Sequence, residues 1–205
     1  YESMLPKTEN GRLRDMTFKK AMFSSPAACL KSVQGRMSRL EKEGSDDAMK
    51  ERRALSVLEH ALKEIGPQDF SRYQELLKLL RDPAYGWNYR VADDRLVIFT
   101  ERIETMRWLA EHLQQDFRMR ANAIQTLHGG MSDIDQQKIV EEFGRDEAPV
   151  RILVASDVAS EGINLHYLSH RMIHFDIPWS LMVFQQRNGR VDRYGQKVSP
   201  DIRYM

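Results

Sequence analysis

The spacing of apolar residues divides the chain into two parts of different character. In the first part, about residues 18–82, apolar positions recur every three or four residues, which is the spacing of helices with one buried face. Pro26 and the pairs Gly66-Pro67 and Asp82-Pro83 interrupt this pattern, because proline cannot continue a helix. We therefore predict three helical stretches, at residues 18–43 with a break at Pro26, at 48–65 and at 69–80.

From residue 95 onward, short apolar runs alternate with helical stretches. The predicted strands cover 96–99, 123–127, 151–155 and 172–175, and the predicted helices cover 103–117, 132–143 and 181–190. This alternation indicates a parallel sheet covered by helices, in which ligands bind at the carboxyl ends of the strands. Residues 201–205 read as the start of a further strand, and we expect the chain to be truncated there.

Composition and charge exclude few classes of function. The net charge of the 205 residues is +1, which is too small to indicate a nucleic-acid partner by itself. No apolar run reaches the length of about 18 residues that a membrane span needs, and the first residues contain no signal-peptide core. Cys29 is the only cysteine, so an internal disulfide is excluded and a reducing, cytoplasmic location is expected. No histidine or cysteine cluster has the spacing of a zinc site, and no metal ligand is predicted.

The strongest chemical signal lies near the end of the chain, in the string Gln185-Gln186-Arg187-Asn188-Gly189-Arg190-Val191-Asp192-Arg193-Tyr194-Gly195-Gln196. Arg190 and Arg193 are three residues apart, so both project from one face of a helix end. Planar guanidinium groups match the oxygens of a polyphosphate, although two arginines at this spacing more often form a solvated basic helix end. The complete string is far more specific. It resembles motif VI of superfamily-two helicases, and its closing Gly-Gln is similar to the Swi/Snf-type ATPases.

A second segment, Ile152 to Leu165, resembles motif V of the same family. Many relatives have arginine and aspartate where this chain has Glu161 and Asn164, and the form found here resembles the bacterial polymerase-recycling ATPases of the Swi/Snf type. The resemblance implies that the arginines matching Arg190 and Arg193 are catalytic arginine fingers that reach the γ-phosphate of ATP across a cleft. It also implies nucleotide contacts at four further positions, which are Asp157, Gly162, Asn164 and Gln186.

Two shorter matches point to nucleic acid. Residues 97–102 resemble motif IV, and residues 127–131 resemble the glycine-containing loop after the next strand, where the backbone can approach a phosphate. A histidine such as His128 is by itself more often a loop residue than a ligand, and its place before Gly129-Gly130 makes the two interpretations about equal. The residues that the resemblance assigns to the nucleic-acid backbone are Thr100, Arg102, His128, Gly129, Gly130 and Ser156. In the segment 175–180, which resembles the link between motifs V and VI, Trp179 is expected to pack in the core or at a lobe interface rather than to stack on a base.

The fold that the resemblance implies is α/β, with a parallel RecA-like sheet of the P-loop NTPase type over residues 91–205. A helical inter-lobe segment over residues 1–90 precedes it. The chain contains no G-x-x-x-x-G-K-[ST] sequence, and Asp146-Glu147 lies in a helix-to-strand loop rather than at the end of a strand. ATP and Mg²⁺ are therefore expected to bind mainly to an N-terminal RecA-like lobe of the same protein, which this chain lacks.

The expected function is that of the C-terminal motor lobe of an ATP-dependent helicase or translocase, with duplex DNA as the expected nucleic acid and no activity in the lobe alone. The alternative is a non-catalytic RecA-like module that docks onto a protein or nucleic acid. A complete small hydrolase would need its own nucleophile or phosphate loop, and the sequence shows neither. Strand separation, movement along duplex and remodelling of a protein–nucleic-acid complex all remain open, as does RNA in place of DNA.

Overall fold

The computed structural model describes residues 9–157, 169–192 and 194–205, with side chains from residue 17 onward. The chain forms two compact units, Tyr1–Ser71 and Arg72–Met205. The helices of the first unit are α1 (Glu9–Ser24), α2 (Pro26–Glu43) and α3 (Asp46–Glu64). The second unit begins with α4 (Ser71–Arg81), continues with β1 (Leu96–Phe99), α5 (Ile103–Asp116), β2 (Ile124–Leu127), α6 (Asp133–Phe143) and β3 (Ile152–Ala155), and ends with β4 (Arg171–His174), α7 (Leu181–Asn188) and β5 (Asp201–Tyr204).

Local sequence signals set the helix boundaries of the first unit. The Ser25 hydroxyl accepts a hydrogen bond from the Ala28 amide at 3.1 Å, and Pro26 occupies the first position of α2. Gly44 ends α2 in the left-handed region, at φ 64°, where a residue without a Cβ is favoured. The predicted break at Pro26 is therefore confirmed, while α1 begins nine residues before the predicted start at Phe18. Buried apolar residues between α2 and α3 form the core of this unit: Cys29, Val33, Leu40, Ala48, Leu55 and Leu62.

The second unit contains one five-stranded sheet with the strand order β2-β3-β1-β4-β5. All four strand pairings are parallel, so the predicted α/β fold with a parallel RecA-like sheet is confirmed. The run predicted at residues 201–205 forms a strand, β5, which pairs with β4. The central strands β1 and β3 are buried along their whole length, which explains why both are continuous apolar runs in the sequence.

The register of the sheet brings the carboxyl ends of four strands to the same level. Phe99 at the end of β1 pairs with Ala155 of β3 on one side and with His174 of β4 on the other. Ala155 also pairs with Leu127, the last residue of β2. Any side chain that follows one of these residues therefore lies at one common edge, which we call the carboxyl edge.

A buried arginine secures the opposite end of the sheet. Arg95 directly precedes β1 and is fully buried, and its guanidinium group donates to the carbonyls of Ala92 at 3.0 Å and Glu142 at 3.2 Å, and to those of Phe143 and Arg145. Burial lowers the pKa of Arg95 to about 10. Because the last carbonyls of α6 have no partner within their own helix, this side chain acts as the cap of α6.

The irregular segment before β1 docks onto α5. The ring of Trp87 meets that of Phe117 edge-on at 5.5 Å, and its indole nitrogen donates to the carbonyl of Asp94 at 3.0 Å. Only 7% of Trp87 remains exposed, so this residue is packed against its neighbours. Within the described part of the chain, no helix combines the length and the apolar character that crossing a membrane requires.

Candidate functional site

The carboxyl edge collects residues that the sequence singled out in three separate segments. Thr100, His128 and Ser156 directly follow β1, β2 and β3, respectively. Backbone hydrogen bonds extend the sheet by one residue there, from the Thr100 amide to the Ala155 carbonyl at 3.1 Å and from the Ser156 amide to the Leu127 carbonyl at 2.8 Å. The parallel topology therefore brings these three residues to one line.

Their exposure to solvent differs strongly. Thr100 is fully buried and its hydroxyl donates to Asp176 Oδ2 at 2.6 Å, so a phosphate contact from that hydroxyl requires Asp176 to be displaced. Ser156 is buried as well, whereas Arg102 and His128 are half-buried and Gly129 and Gly130 are exposed. The nucleic-acid role of the whole set stays a prediction, and its accessible members are Arg102, His128, Gly129 and Gly130.

The loop after β2 has a local reason for its glycine. The Gly130 amide donates to His128 Nδ1 at 3.2 Å, so Nδ1 is the acceptor nitrogen of this ring. A Cβ on residue 130 would lie 3.2 Å from the same ring nitrogen, closer than side chains usually approach. The glycine therefore allows the loop to fold back onto the histidine.

An arginine that the sequence prediction did not select lies at the centre of the edge. Arg187 of α7 is only 1% exposed. Its guanidinium group forms a two-pronged ion pair with Asp157, in which Nη2 lies 2.9 Å from Oδ2 and Nε donates to Oδ1. The remaining donor, Nη1, reaches the backbone carbonyl of Asp176 at 2.8 Å. An arginine with so little exposure is stable only when its donors are satisfied in this manner.

Asp176 connects this arginine to the end of β1. Its carboxylate accepts from the Thr100 hydroxyl at 2.6 Å and from the Glu101 amide at 2.9 Å, and its Oδ1 lies 3.7 Å from Arg187 Nη2. The segments after β1, β3 and β4 are thus joined to α7 through Arg187 and two carboxylates. We refer to Thr100, Asp157, Asp176 and Arg187, together with His174 and Asn188 described next, as the edge network.

His174, at the end of β4, completes the edge network as a neutral ring. Its Nδ1 lies 3.3 Å from Arg187 Nη1 and its Nε2 lies 2.7 Å from the side-chain oxygen of Asn188. Since arginine only donates, Nδ1 is the acceptor and Nε2 carries the proton. Burial lowers the pKa of His174; the Asn188 hydrogen bond opposes this shift and the Arg187 cation adds to it. The ring stacks on Phe184 of α7 at 5.0 Å, which further attaches the helix to the sheet.

The predicted nucleotide-binding and catalytic residues differ in their relation to the edge network. Arg190 lies in the turn after α7, is half-buried, and donates its amide to the Arg187 carbonyl at 3.0 Å. Gln186 is exposed on α7, and Asp157 is the carboxylate paired with Arg187. The other predicted residues, Gly162, Asn164 and Arg193, lie outside the described residues. The edge network therefore gathers Thr100 and Asp157, and the backbone amide of Arg190 is bonded to it at Arg187.

The edge network contains four residues that sequence reasoning missed: His174, Asp176, Arg187 and Asn188. A signal was present for two of them. Asp176 directly follows an apolar run, which is the position of a ligand or partner at the carboxyl end of a parallel strand. Arg187 is a cation that follows Phe184 by three residues and therefore lies on the same, inward face of the helix. Nothing in the sequence distinguished His174 from an ordinary strand residue.

The link between β4 and α7 and the first turn of α7 carry exposed apolar side chains. Trp179 is 65% exposed and its amide lies 3.4 Å from Glu101 Oε1. Ile177, Leu181 and Met182 are exposed as well. Trp179 therefore does not belong to the core of this unit, and the expected packing at a lobe interface stays a prediction.

The turn after α7 adds a cationic side chain to the chemistry of this part of the unit. Arg190 offers a cation to a polyphosphate beside the carboxyl ends of the strands, where parallel sheets bind ligands. The described residues contain no group of three histidine, cysteine or carboxylate ligands that could hold a metal ion.

Comparison with known proteins identifies a family for most of the second unit. The family described as "Helicase conserved C-terminal domain" matches residues 71–195. Curated relatives include the "RNA polymerase-associated protein RapA" of Vibrio campbellii, which is 31% identical over 109 residues, or 53% of this chain. The protein of the same name from Photobacterium profundum is 28% identical over 158 residues, or 73% of this chain. The chain spans 11% and 16% of the length of these two relatives.

A solved structure shares the fold of the chain. It is described as "Crystal structure of the C-terminal part of Fun30 ATPase domain" and superposes with a TM-score of 0.53 at 16% sequence identity. The similarity covers 97% of this chain and 72% of that one. At this level of identity the match shows a common fold.

Proposed function

We propose that this chain, which belongs to the family of helicase conserved C-terminal domains and is the C-terminal lobe of a superfamily-two helicase-type protein, works as the second motor lobe of an ATP-dependent nucleic-acid translocase of the Swi/Snf type. One observation carries the proposal. The turn that bears Arg190 is attached, through the edge network, to the carboxyl ends of β3 and β4. An arginine presented at this edge can reach a ligand held by a facing lobe.

In this function the lobe completes a site for ATP rather than forming one. ATP with Mg²⁺ supplies the scissile γ-phosphate bond and is held mainly by an N-terminal RecA-like lobe of the same protein. Arg190 and Arg193 approach the γ-phosphate when the lobes close and stabilise the negative charge of the transition state. Gln186, Gly162 and Asn164 contribute further contacts to the nucleotide. Asp157 contributes through its ion pair with Arg187, because that pair occupies its carboxylate.

The lobe also grips the nucleic-acid backbone at the carboxyl edge. Arg102, His128 and the Gly129-Gly130 amides are suited to phosphate oxygens, which makes the grip independent of sequence and sensitive to salt. Thr100 and Ser156 support the ends of the strands behind these groups. Alternate closing and opening of the lobes would move these contacts along the nucleic acid. We propose duplex DNA as the track and the cytoplasm as the location, and the RNA polymerase association in the name of the RapA relatives supports both.

The proposal is tested by ATP turnover of the full-length protein that contains this lobe and of the 205-residue chain alone, each with saturating duplex DNA and without it. The full-length protein should hydrolyse ATP with stimulation by DNA, and the chain alone should show no turnover above background. Turnover by the chain alone would show that it holds a complete site. Lack of turnover by the full-length protein with DNA and with RNA would favour the alternative of a docking module.

A further inference from the structure

The last turn of α7 is held by side chains on two consecutive residues. Arg187 is bound to Asp157 beyond β3 and to the Asp176 carbonyl beyond β4. Asn188 accepts from the Nε2 of His174 at 2.7 Å. A short helix that packs on an apolar surface alone could tilt or slide, but these directional bonds fix the carboxyl end of α7 in position and in rotation.

The backbone of the predicted finger depends on these same two residues. The Arg190 amide donates to the Arg187 carbonyl at 3.0 Å, and the amides of Val191 and Asp192 donate to the Asn188 carbonyl at 3.1 Å and 2.9 Å. Val191 is fully buried in the core beneath the sheet edge. Arg190 therefore lies between two anchored neighbours, and its Cα has little freedom to move independently of Arg187.

We propose that Arg187 is a positioning residue for the finger Arg190, an inference that rests on the proposed function. Its two-pronged pair with Asp157 and its bond to Asp176 set the place from which Arg190 extends toward the γ-phosphate. A shift of about 1 Å in a reacting group can reduce a rate on the order of 100-fold. Loss of Arg187 therefore lowers turnover without removing any group that touches ATP.

The same arginine connects the finger to the end of β1. Asp176 holds the Thr100 hydroxyl at 2.6 Å and the Glu101 amide at 2.9 Å, and it lies 3.7 Å from Arg187. Arg102, which directly follows Glu101, is the first of the accessible residues that are proposed to contact phosphate. Movement of this loop on a bound backbone is thus transmitted to Arg187 through one carboxylate. Stimulation of turnover by nucleic acid is expected to depend on Arg187 for this reason.

The test is a double-mutant cycle on the full-length protein with Arg187→Met, Arg190→Ala and the combination of both. We expect R187M to lower kcat on the order of 100-fold, with a KM for ATP that changes much less, and to reduce the stimulation by DNA. In the R190A background, R187M should have almost no further effect on kcat, because the residue through which it acts is already absent. A role that is only structural would give independent, multiplicative losses.

A second buried arginine provides the matched control. Arg95 is as buried as Arg187 but lies at the opposite end of the sheet. R95M should lower the thermal stability and leave kcat per folded molecule, DNA stimulation and KM unchanged. If R187M does not fold, Arg187→Lys replaces it in the cycle; it keeps the cation but cannot form the two-pronged pair, and it should lower kcat with the same dependence on Arg190.

The outcomes separate this inference from the proposed function. If R190A turns over ATP like the wild type, the finger assignment fails and the proposed function fails with it. If R190A is defective while R187M and R187K keep wild-type kcat, or while their effects multiply with that of R190A, only the positioning role of Arg187 is overturned. Equal losses of kcat in R95M and R187M would also overturn it.

Discussion

Arg187 and Asp157 form a two-pronged ion pair that joins the last turn of α7 to the end of β3. The side chain of Arg187 is 1% exposed and that of Asp157 is 24% exposed, so the pair is shielded on the arginine side and reaches solvent on the other. Asp176 lies on the far side of the same guanidinium group. One guanidinium group thus balances the charges of two carboxylates at the carboxyl edge.

This relationship predicts a large loss of stability when the cation is removed. Arg187→Met leaves Asp157 and Asp176 close together without their partner, and breaking a buried pair in this way typically costs about 3 kcal/mol or more. The free energy of unfolding of the 205-residue chain, measured by urea denaturation, should decrease by that amount. Arg203→Met is the matched control, since Arg203 pairs with Asp201 on the surface and should cost at most about 1 kcal/mol. Equal losses in the two variants would show that the Arg187 pair is not buried as described.

A second stability prediction concerns the cap of α6. Arg95→Met keeps the apolar stem of the side chain and removes the donors for the carbonyls of Glu142, Phe143 and Arg145. We expect a loss of about 2 to 3 kcal/mol, with faster amide hydrogen exchange in the last turn of α6 than in the strands. Arg145→Met, which removes only an exposed pair with Glu141, is the control. Unchanged exchange in α6 would contradict the capping role.

The buried ring of His174 predicts a dependence of stability on pH. An unfolded histidine binds a proton near its ordinary pKa of 6.5, whereas burial holds the pKa of folded His174 below that value. Below about pH 6.5 the unfolded state therefore binds more protons, and the free energy of unfolding falls as pH decreases toward the folded pKa, by up to about 1.4 kcal/mol per pH unit.

The variant His174→Gln removes this titration and can still donate to Asn188. Its stability should fall less steeply than that of the wild type as the pH is lowered from about 7 to 5, measured by urea denaturation at each pH. Burial also lowers the pKa of His170, so part of the slope should remain in H174Q. An acid slope identical to the wild type would mean that folding does not lower the pKa of His174.

Most of the fold could be predicted from the sequence because its signals are local. The apolar runs of β1 and β3, the Ser25-Pro26 start of α2 and the proline-bounded ends of the helices each depend on neighbouring residues. The position of the carboxyl edge followed from parallel topology alone. These features need no knowledge of distant contacts.

The edge network could not be predicted in the same way, since its bonds join residues far apart in the sequence. Thr100 and Asp176 are separated by 76 positions, and Asp157 and Arg187 by 30. The sequence predicts that Thr100 contacts nucleic acid but gives no sign of the hydrogen bond that its hydroxyl donates to Asp176. The spacing of Arg187 from Phe184 indicates that it faces inward, but its partners Asp157 and Asp176 are visible only in the structure.

The proposed contacts with the nucleic-acid backbone yield a prediction that does not depend on ATP. Arg102→Ala in the full-length protein should weaken binding to unrelated DNA sequences equally and reduce the slope of log K against log salt by about one unit, because one phosphate contact is lost. Arg107→Ala, at an exposed position of α5, is the control and should leave the slope unaltered. A loss confined to one DNA sequence would instead indicate that Arg102 reads a base.

The arginine finger proposed for this lobe is tested most directly by the turnover of ATP by the full-length protein carrying Arg190→Ala. With saturating DNA, kcat should fall by roughly 10³-fold, while the affinity for ATP, measured by equilibrium titration, should change much less because the facing lobe holds most of the nucleotide. Arg145→Ala, an exposed arginine of the loop after α6, should behave as the wild type. Near-normal kcat in R190A would contradict the account.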